Sequence, residues 1–199
     1  MKELFNITGY YYEEQKHTFR KYLNIHKKDS IRKTPDIMVI MMNPGSSEPE
    51  DNNQNGRIET LAKPDNTQYR IMEVMLNCNF EYARVLNLSD IREPKSNIFY
   101  NKIKEMESLN ISHSIFDETR KEDLNNLWIS NVPVIYGWGV NTKLKLLAIK
   151  AIEKCNLSNP TGIQKPNFPW AYYHPLPRIN NKQIEWVKLI TELILKTNR

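Results

Sequence analysis

Continuous apolar runs alternate along the chain with segments of helical periodicity. The clearest apolar run covers residues 37–42, as expected of a strand that is buried on both faces of a parallel sheet. Similar runs predict strands at 82–88, 132–139 and 170–173, and helical spacing predicts helices at 69–77, 97–109, 116–128, 141–154 and 182–196. The alternation predicts an α/β fold, a three-layer α/β/α sandwich around a central, mostly parallel four-stranded sheet, in a single domain over residues 1–199.

Two segments do not follow this alternation. Residues 10–29 mix aromatic and charged side chains, which allows either a helix or an edge hairpin. Residues 46–66 are polar and predict a long loop, which in compact domains is usually functional or disordered. At the end of this loop, Asp65 and the two residues after it offer a cap for the helix that follows.

Composition favours an ordinary globular protein, since 40% of residues are hydrophobic and 26% are charged. No apolar run reaches the roughly 20 residues of a membrane helix, and an acidic residue at position 3 does not suit a signal peptide. We therefore expect a cytoplasmic protein without membrane partners. The net charge of +5 slightly favours polyanionic partners such as nucleic acid.

Cysteine and histidine positions give no sign of a metal site. Cys78 and Cys155 lack metal-ligand spacing and are expected to be packing residues in a reducing compartment. The histidines form no HxH or HExxH pattern; they are His17, His26, His113 and His174. We expect no metal and no cofactor.

The first candidate motif, residues 42–47, directly follows the strand predicted at 37–42. Pro44 fixes the backbone and Gly45 allows a ligand to approach it closely, so that the N–H groups of Gly45, Ser46 and Ser47 can form a nest for an anion. Asn43 presents its amide at the end of the strand. A tight turn without a ligand explains the same residues equally well.

The second candidate motif, His174-Pro175-Leu176-Pro177-Arg178, is stiffened by its prolines and carries an imidazole and a guanidinium. A surface histidine in a proline-rich turn is the alternative. Asn87 ends the strand predicted at 82–88, where its amide can pair with a pyrimidine edge or simply form a turn. Parallel sheets bind ligands at the carboxyl ends of their strands, so we expect these residues around one cleft.

These segments, in this order, resemble the uracil-DNA glycosylase superfamily over residues 36–180. The matching segments are Met41-Met42-Asn43-Pro44-Gly45, Val85-Leu86-Asn87, the Trp-Gly turn at 138–139 and His174-Pro175-Leu176-Pro177-Arg178. The chain is also similar to a group of uncharacterised bacterial proteins in or near that superfamily, which share the helix start Asp65-Asn66-Thr67. It departs from the superfamily at Met41, which replaces a glycine, and at Leu176, which replaces a serine.

The resemblance implies that the protein flips a base out of DNA, single- or double-stranded, and acts as a monomer without a cofactor. In that family pattern Asn43 positions a water, His174 donates a hydrogen bond to the leaving base and Asn87 reads its edge. The loops grip phosphates, and Arg178 or Ile179 fills the vacated stack. The phosphate-gripping residues are Pro44, Gly45, Ser46, Ser47, Pro175, Pro177 and Arg178, and the candidate stacking aromatics are Tyr11, Tyr12 and Tyr69.

The function expected first is therefore a DNA glycosylase-like hydrolase that cleaves the N-glycosidic bond of a flipped, damaged or modified base, with a uracil-type base as one candidate. A modified base would suit defence against phage DNA, with a pocket built by the loop at 46–66. A non-catalytic nucleotide- or DNA-binding protein is the first alternative, which Met41 and Leu176 favour. A hydrolase or transferase that acts on free nucleosides or nucleotides is the second, against which Arg178 and the basic charge argue.

Overall fold

The computed structural model describes residues 1–197, with the side chain of Lys2 excepted, and is built around a six-stranded mixed sheet. The strands are β1 (Phe5–Glu14), β2 (His17–Lys27), β3 (Ile37–Met41), β4 (Glu59–Leu61), β5 (Tyr82–Asn87) and β6 (Val134–Tyr136). Their order across the sheet is β4-β1-β2-β5-β3-β6. Only the β3–β5 and β3–β6 pairs are parallel. The α/β class is confirmed, whereas the mostly parallel four-stranded sheet is corrected to six strands of mixed direction.

The segment at 10–29, which allowed a helix or an edge hairpin, is the long antiparallel hairpin of β1 and β2. Gln15 and Lys16 form its turn with positive φ angles of 46° and 67°. The hairpin is not an edge, because β2 also pairs with β5 and β1 also pairs with β4. Together with β4, the hairpin extends the parallel core of the sheet by three antiparallel strands.

The strand predicted at 170–173 is wrong. Tyr172 makes only isolated bridges, to Gly139 and Gln164. Trp170, Ala171 and Tyr172 are nevertheless buried, and Trp138 donates a hydrogen bond from Nε1 to the carbonyl oxygen of Trp170 at 2.8 Å. Apolar side chains thus mark a packed loop here rather than a strand.

The polar segment at 46–66 is only partly a loop. It includes β4, which pairs with β1, and a bridge between Pro49 and Ala62. The helix α1 begins at Asn66 after Asp65, whose side chain accepts a hydrogen bond from the Gln68 N–H at 2.8 Å. The Asp65 N–H in turn donates to Oε1 of Gln68 at 3.3 Å, which completes a capping box. The predicted helix cap is confirmed.

The predicted helices are all present, with small changes at their ends. They are α1 (Asn66–Asn77), α2 (Ser96–Ser108), α3 (Lys121–Leu127), α4 (Lys145–Cys155) and α5 (Asn180–Thr197). Short 3₁₀ turns at Glu118–Arg120 and Thr142–Leu144 precede α3 and α4, so these helices start later than predicted. Among residues 1–197, no helix is both long enough and apolar enough to cross a membrane.

Helices cover both faces of the sheet. One apolar cluster joins the sheet to α2, α3 and α4, with Phe99, Leu124 and Leu147 as contributors. The other joins the opposite face to α1 and α5, with Met72 and Ile190 as contributors. The alternation of β3 explains the two clusters, because its successive side chains point to opposite faces. The three predicted layers are thus present.

Candidate functional site

The carboxyl ends of β3 and β5 lie side by side. Met41 is the register partner of Asn87, and the N–H of Leu88 donates to the carbonyl oxygen of Met41 at 2.8 Å. Asn43 lies two residues beyond Met41 on the same edge of the sheet. The parallel pairing therefore brings together the two asparagines that the sequence singled out.

The loop that carries His174 is held against this edge by α5. Trp186 donates from Nε1 to the carbonyl oxygen of Tyr173 at 2.9 Å, and Gln183 donates from Nε2 to that of Pro177 at 2.8 Å. Gly137 allows the close approach, because a Cβ there would lie 3.2 Å from Sδ of Met41 and 3.4 Å from Cδ of Pro175. His174 is thereby placed beside the ends of the strands.

Asn43, Asn87 and His174 line one small pocket, with a volume of about 40 Å³. This is much less than the roughly 300–1,000 Å³ of typical small-molecule sites. The side chain of Met41 is part of the lining of this narrow pocket. The other lining residues are Arg20, Leu23, Asp65, Thr67, Gln68, Ile71 and Val85.

Asn87 is the most unusual member of the pocket. It is fully buried, and neither Nδ2 nor Oδ1 has a hydrogen-bond partner among the described residues. Nε2 of Gln68, which is also buried, lacks a partner as well. Leaving a buried polar group unpaired costs about 1–3 kcal/mol. The amide of Asn87 is therefore free to receive both a donor and an acceptor from a ligand.

Asn43 is held differently, because its amide nitrogen is engaged. Nδ2 donates to the carbonyl oxygens of Ile91 at 3.2 Å and Glu93 at 2.8 Å, both in the segment after β5. These bonds fix the orientation of the amide and leave Oδ1 as its remaining polar atom. An amide oxygen accepts hydrogen bonds but does not remove protons at neutral pH.

His174 is placed as a neutral hydrogen-bond donor. The Leu176 N–H donates to its Nδ1 at 3.0 Å, so Nδ1 carries no proton and the proton lies on Nε2. Burial lowers the pKa of His174 to about 4. The imidazole therefore stays neutral through the physiological range while Nε2 keeps a proton that it can donate.

The loop after Asn43 is partly engaged within the protein. Gly45 has a φ of +61°, which favours glycine. The N–H of Ser47 donates to the carbonyl oxygen of Pro44 at 3.1 Å, and its hydroxyl lies 2.9 Å from that of Tyr11. Ser47 and Pro44 are both buried, whereas Ser46 is exposed. Of the predicted nest, Gly45 and Ser46 therefore remain as the accessible part.

The loop that carries His174 also contains both buried and exposed residues. Pro175 is buried and Pro177 is partly buried, so they shape the loop, while Arg178 is exposed. Ile179 is 57% exposed directly before α5. These two residues are accessible to a large partner such as DNA.

Among the pocket residues that the sequence did not single out as ligand-binding are three with a charged or amide side chain: Arg20, Asp65 and Gln68. Asp65 and Gln68 carried a signal, the capping pattern, but this pattern predicts only a helix start. Arg20 gave no signal, because its segment could not be assigned. The candidate stacking aromatics Tyr11, Tyr12 and Tyr69 do not line the pocket, and the first two are buried elsewhere.

A wider groove of about 440 Å³ lies on the other side of His174. Its walls are mainly apolar, with Ile163, Tyr173, Trp186 and Leu189, and Lys182 adds a positive charge. The pocket and the groove share His174, so a ligand larger than a base has space to continue beyond it.

Within the part of the chain that the structure describes, no group of three or more His, Cys, Asp or Glu side chains is placed to hold a metal ion. No family model, curated protein or solved structure matches this chain.

Proposed function

We propose that this protein is a DNA glycosylase-like hydrolase with a uracil-DNA glycosylase-like arrangement of its site, and that it cleaves the N-glycosidic bond of a base flipped out of DNA. The observation that carries the proposal is the buried amide of Asn87, which has no partner for Nδ2 or Oδ1. It lines the same pocket as a neutral imidazole with a proton on Nε2. This combination suits the edge of a pyrimidine-type base.

Asn87 recognises the base. Its amide offers one donor and one acceptor, which match a carbonyl oxygen and an adjacent ring N–H on a uracil-type base. A site built to pair such an edge discriminates strongly, because a base without that edge leaves the buried amide unpaired. The free energy lost by burying Asn87 without a partner is recovered when the base binds.

Cleavage places opposite charges on the two products of bond breaking. The bond between C1′ of the sugar and the base nitrogen breaks, and its electron pair stays with the base. Nε2–H of His174 donates a hydrogen bond to the oxygen on which this negative charge develops. Oδ1 of Asn43 accepts a hydrogen bond from the water whose oxygen then bonds to C1′. This water releases one proton to solvent, and the departing base anion takes up one proton from solvent. The products are the free base and an abasic site.

A base inside a duplex cannot reach a pocket at the edge of a sheet, so it must be flipped. The exposed Arg178 and Ile179 are available to fill the vacated stack. The pocket must widen when the base enters. Met41 is suited to this movement, because the methionine side chain is flexible and repacks readily.

A second candidate is a nucleotide- or DNA-binding protein without catalysis. The volume of about 40 Å³ and the presence of Met41 in the lining favour it, because both restrict the space for a reacting nucleotide. In this case the same Asn87 amide would hold a base without cleavage.

A strand-cleavage assay separates the two candidates. Labelled oligonucleotides carrying uracil, hydroxymethyluracil, hypoxanthine or glucosylated hydroxymethylcytosine are incubated with the protein and then treated with alkali, which cuts at abasic sites. The glycosylase proposal expects cleavage with at least one base, lost in Asn43→Ala and His174→Ala but kept in Arg32→Ala, a change at an exposed residue outside the pocket. Salt-sensitive DNA binding without cleavage of any substrate would favour the binding protein.

A further inference from the structure

Arg20, on β2, is a buried charge without an ionic partner. It is 3% exposed, and Nε has no hydrogen-bond partner. Among residues 1–197, no carboxylate oxygen lies within 4.0 Å of its guanidinium. Burial lowers the pKa of the guanidinium, while the Tyr11 hydroxyl, Asp65 and Asp90 favour its charged form without forming an ion pair at contact distance. A buried charge is unfavourable unless a partner compensates it.

A β-bulge directs Arg20 into the pocket. Tyr10 pairs with Tyr22 and Tyr11 pairs with Arg20, so Lys21 is an extra residue in β2. In a regular strand, residues 20 and 23 would point to opposite faces. Both Arg20 and Leu23 line the pocket, because the extra residue reverses the alternation between them. The backbone of the hairpin therefore sets the position of this charge.

The polar atoms around Arg20 include several free donors. Nε2 of Gln68 and Nδ2 of Asn87 are buried without partners, and His174 carries a proton on Nε2. The one carboxylate in the lining, Asp65, already accepts the Gln68 N–H at the start of α1. A carboxylate at this position is stabilised by the helix N-terminus. Arg20 therefore remains as the charge for which the pocket has no partner.

We propose that Arg20 binds an anionic group of the ligand, so that the ligand of this pocket is a pyrimidine-like ring that bears a negative charge. The inference depends on the proposed function in taking a base as the ligand. The negative charge has two possible sources, an acidic substituent on the ring and the phosphate of a nucleotide. Both would pair with the guanidinium through charge-assisted hydrogen bonds.

Two pairs of small probes test the inference by calorimetry. Uracil-5-carboxylate and uracil-5-carboxamide have nearly the same shape but differ in charge, and the pair dUMP and deoxyuridine differs by the phosphate. We expect the anionic member of one pair to bind at least about tenfold more tightly to the unchanged protein, which corresponds to one full decade in Kd. The pair that shows this preference identifies the source of the charge.

The preference should disappear in Arg20→Gln and persist in Arg32→Gln. Arg32 serves as the control arginine. Its exposed side chain pairs with Asp36 at 2.9 Å. Asp36 precedes β3, so this ion pair lies near the amino end of the strand, whereas the pocket lies at the carboxyl end. Equal binding of both members in both pairs would overturn the inference. So would a preference that survives Arg20→Gln, or the absence of binding by all four probes.

Thermal unfolding shows whether Arg20 is instead a structural residue. Arg20→Gln removes an uncompensated buried charge, so we expect a Tm equal to or above that of the unchanged protein. A clear fall in Tm with an unaltered charge preference would assign Arg20 a structural role and overturn the inference.

The failure of this inference can be told apart from the failure of the proposed function. Asn87→Leu should weaken binding of every probe, whereas Arg20→Gln should remove only the preference for charge. A protein that shows the Arg20-dependent preference but releases no base from DNA would retain the anion site and lose the proposed glycosylase activity.

Discussion

Two buried asparagines on neighbouring strands, Asn24 on β2 and Asn87 on β5, have opposite surroundings. Nδ2 of Asn24 donates to Oε1 of Glu59 at 2.9 Å, and its Oδ1 accepts from Nε of Arg84 at 3.0 Å. The Arg84 guanidinium also donates to the carbonyl oxygen of Leu127. Neither polar atom of Asn87 has a partner. The same side chain is thus part of a closed network in one region and is left open in the other.

The different surroundings of Asn24 and Asn87 illustrate two roles of buried polar groups, one in stabilising the fold and one in binding a ligand. A closed network stabilises the fold, because each donor meets an acceptor. An unpaired buried group lowers stability, and a pocket that contains several such groups is a candidate binding site. Two arginines repeat the contrast, since the partly buried Arg84 donates to Asn24, Leu127 and Tyr82, while the buried Arg20 lacks an ionic partner among the described residues. We therefore expect changes in the pocket to reduce function and changes in the network to reduce stability.

The largest effect is expected from His174→Ala on base release. Loss of one hydrogen bond to a developing negative charge reduces rates about 10²- to 10³-fold, or about 3–4 kcal/mol. The rate of single-turnover base excision, compared with the unchanged protein, measures it. A free energy of unfolding that falls by a similar amount would show that His174 is structural instead.

The pH profile sharpens this prediction. Because burial lowers the pKa of His174 to about 4, the imidazole should not titrate between pH 5 and 8. Excision by the unchanged protein should therefore show no step near pH 6.5 that disappears in His174→Ala. Such a step would mean that a charged imidazole, rather than a neutral one, takes part.

The next largest effect is on stability and compares Asn24→Leu with Asn87→Leu. The first change removes a hydrogen-bond partner from the exposed Glu59 and from the partly buried Arg84, so we expect a loss of about 1–2 kcal/mol in the free energy of unfolding. The second change removes two unpaired polar atoms and should leave stability unchanged or raise it. Urea denaturation of both variants measures the difference. Equal losses of unfolding free energy in the two variants would contradict the claim that Asn24 stabilises the fold and Asn87 does not.

Asp90 has one paired and one unpaired carboxylate oxygen, and its titration should change the free energy of unfolding by an amount comparable to that expected for Asn24→Leu. Oδ2 accepts from Arg120 at 3.1 Å and from Tyr12 at 3.2 Å, while Oδ1 has no partner. Burial raises the pKa of Asp90 from 3.8 to about 6, against the attraction of Arg120. The stability that comes from the protonated form is present below pH 4 and is lost as the pH rises through 6.

The variant Asp90→Asn separates the contribution of the Asp90 carboxyl group to stability from the contributions of other titrating groups. The free energy of unfolding of the unchanged protein, minus that of Asp90→Asn, should fall by about 2 kcal/mol between pH 4 and pH 7. Urea denaturation at the two pH values measures it. A difference that rises with pH would show that the pairing with Arg120 outweighs burial.

The smallest effect is expected from Arg178→Ala on DNA binding. Arg178 is exposed four residues after His174 in the chain, and its guanidinium is accessible to a phosphate. Its loss should weaken binding about equally for all sequences and reduce the salt slope of log K by about 1. Fluorescence anisotropy at several salt concentrations measures the slope, with Arg32→Ala as control. An unchanged slope would place the DNA elsewhere.

The parts of the fold that depend on local pattern could be predicted from the sequence. The apolar run of β3 and the capping box of α1 depend on residues close together in the chain. The hairpin of β1 and β2 could not be assigned, because the bulge at Lys21 interrupts the alternation of side chains. Residues 170–173 were misleading, since packing on Trp138 buries them without strand pairing.

The site was predicted in part for the same reason. Asn43, Asn87 and His174 follow recognisable motifs, and the parallel pairing of β3 and β5 brings them together. Arg20 reaches the pocket only through the bulge, which the sequence does not reveal. The lack of a partner for Asn87 is a property of the packed structure, because it depends on every residue around the amide.

The most direct test of the central claim is the response of the two asparagine amides to a free base. Side-chain ¹H–¹⁵N signals of Asn24 and Asn87 can be followed while uracil and hydroxymethyluracil are added. We predict that the Nδ2 signals of Asn87 shift and saturate, while those of Asn24, held by Glu59 and Arg84, stay in place. Unmoved Asn87 signals, with the protein folded, would contradict the assignment of this pocket to a base.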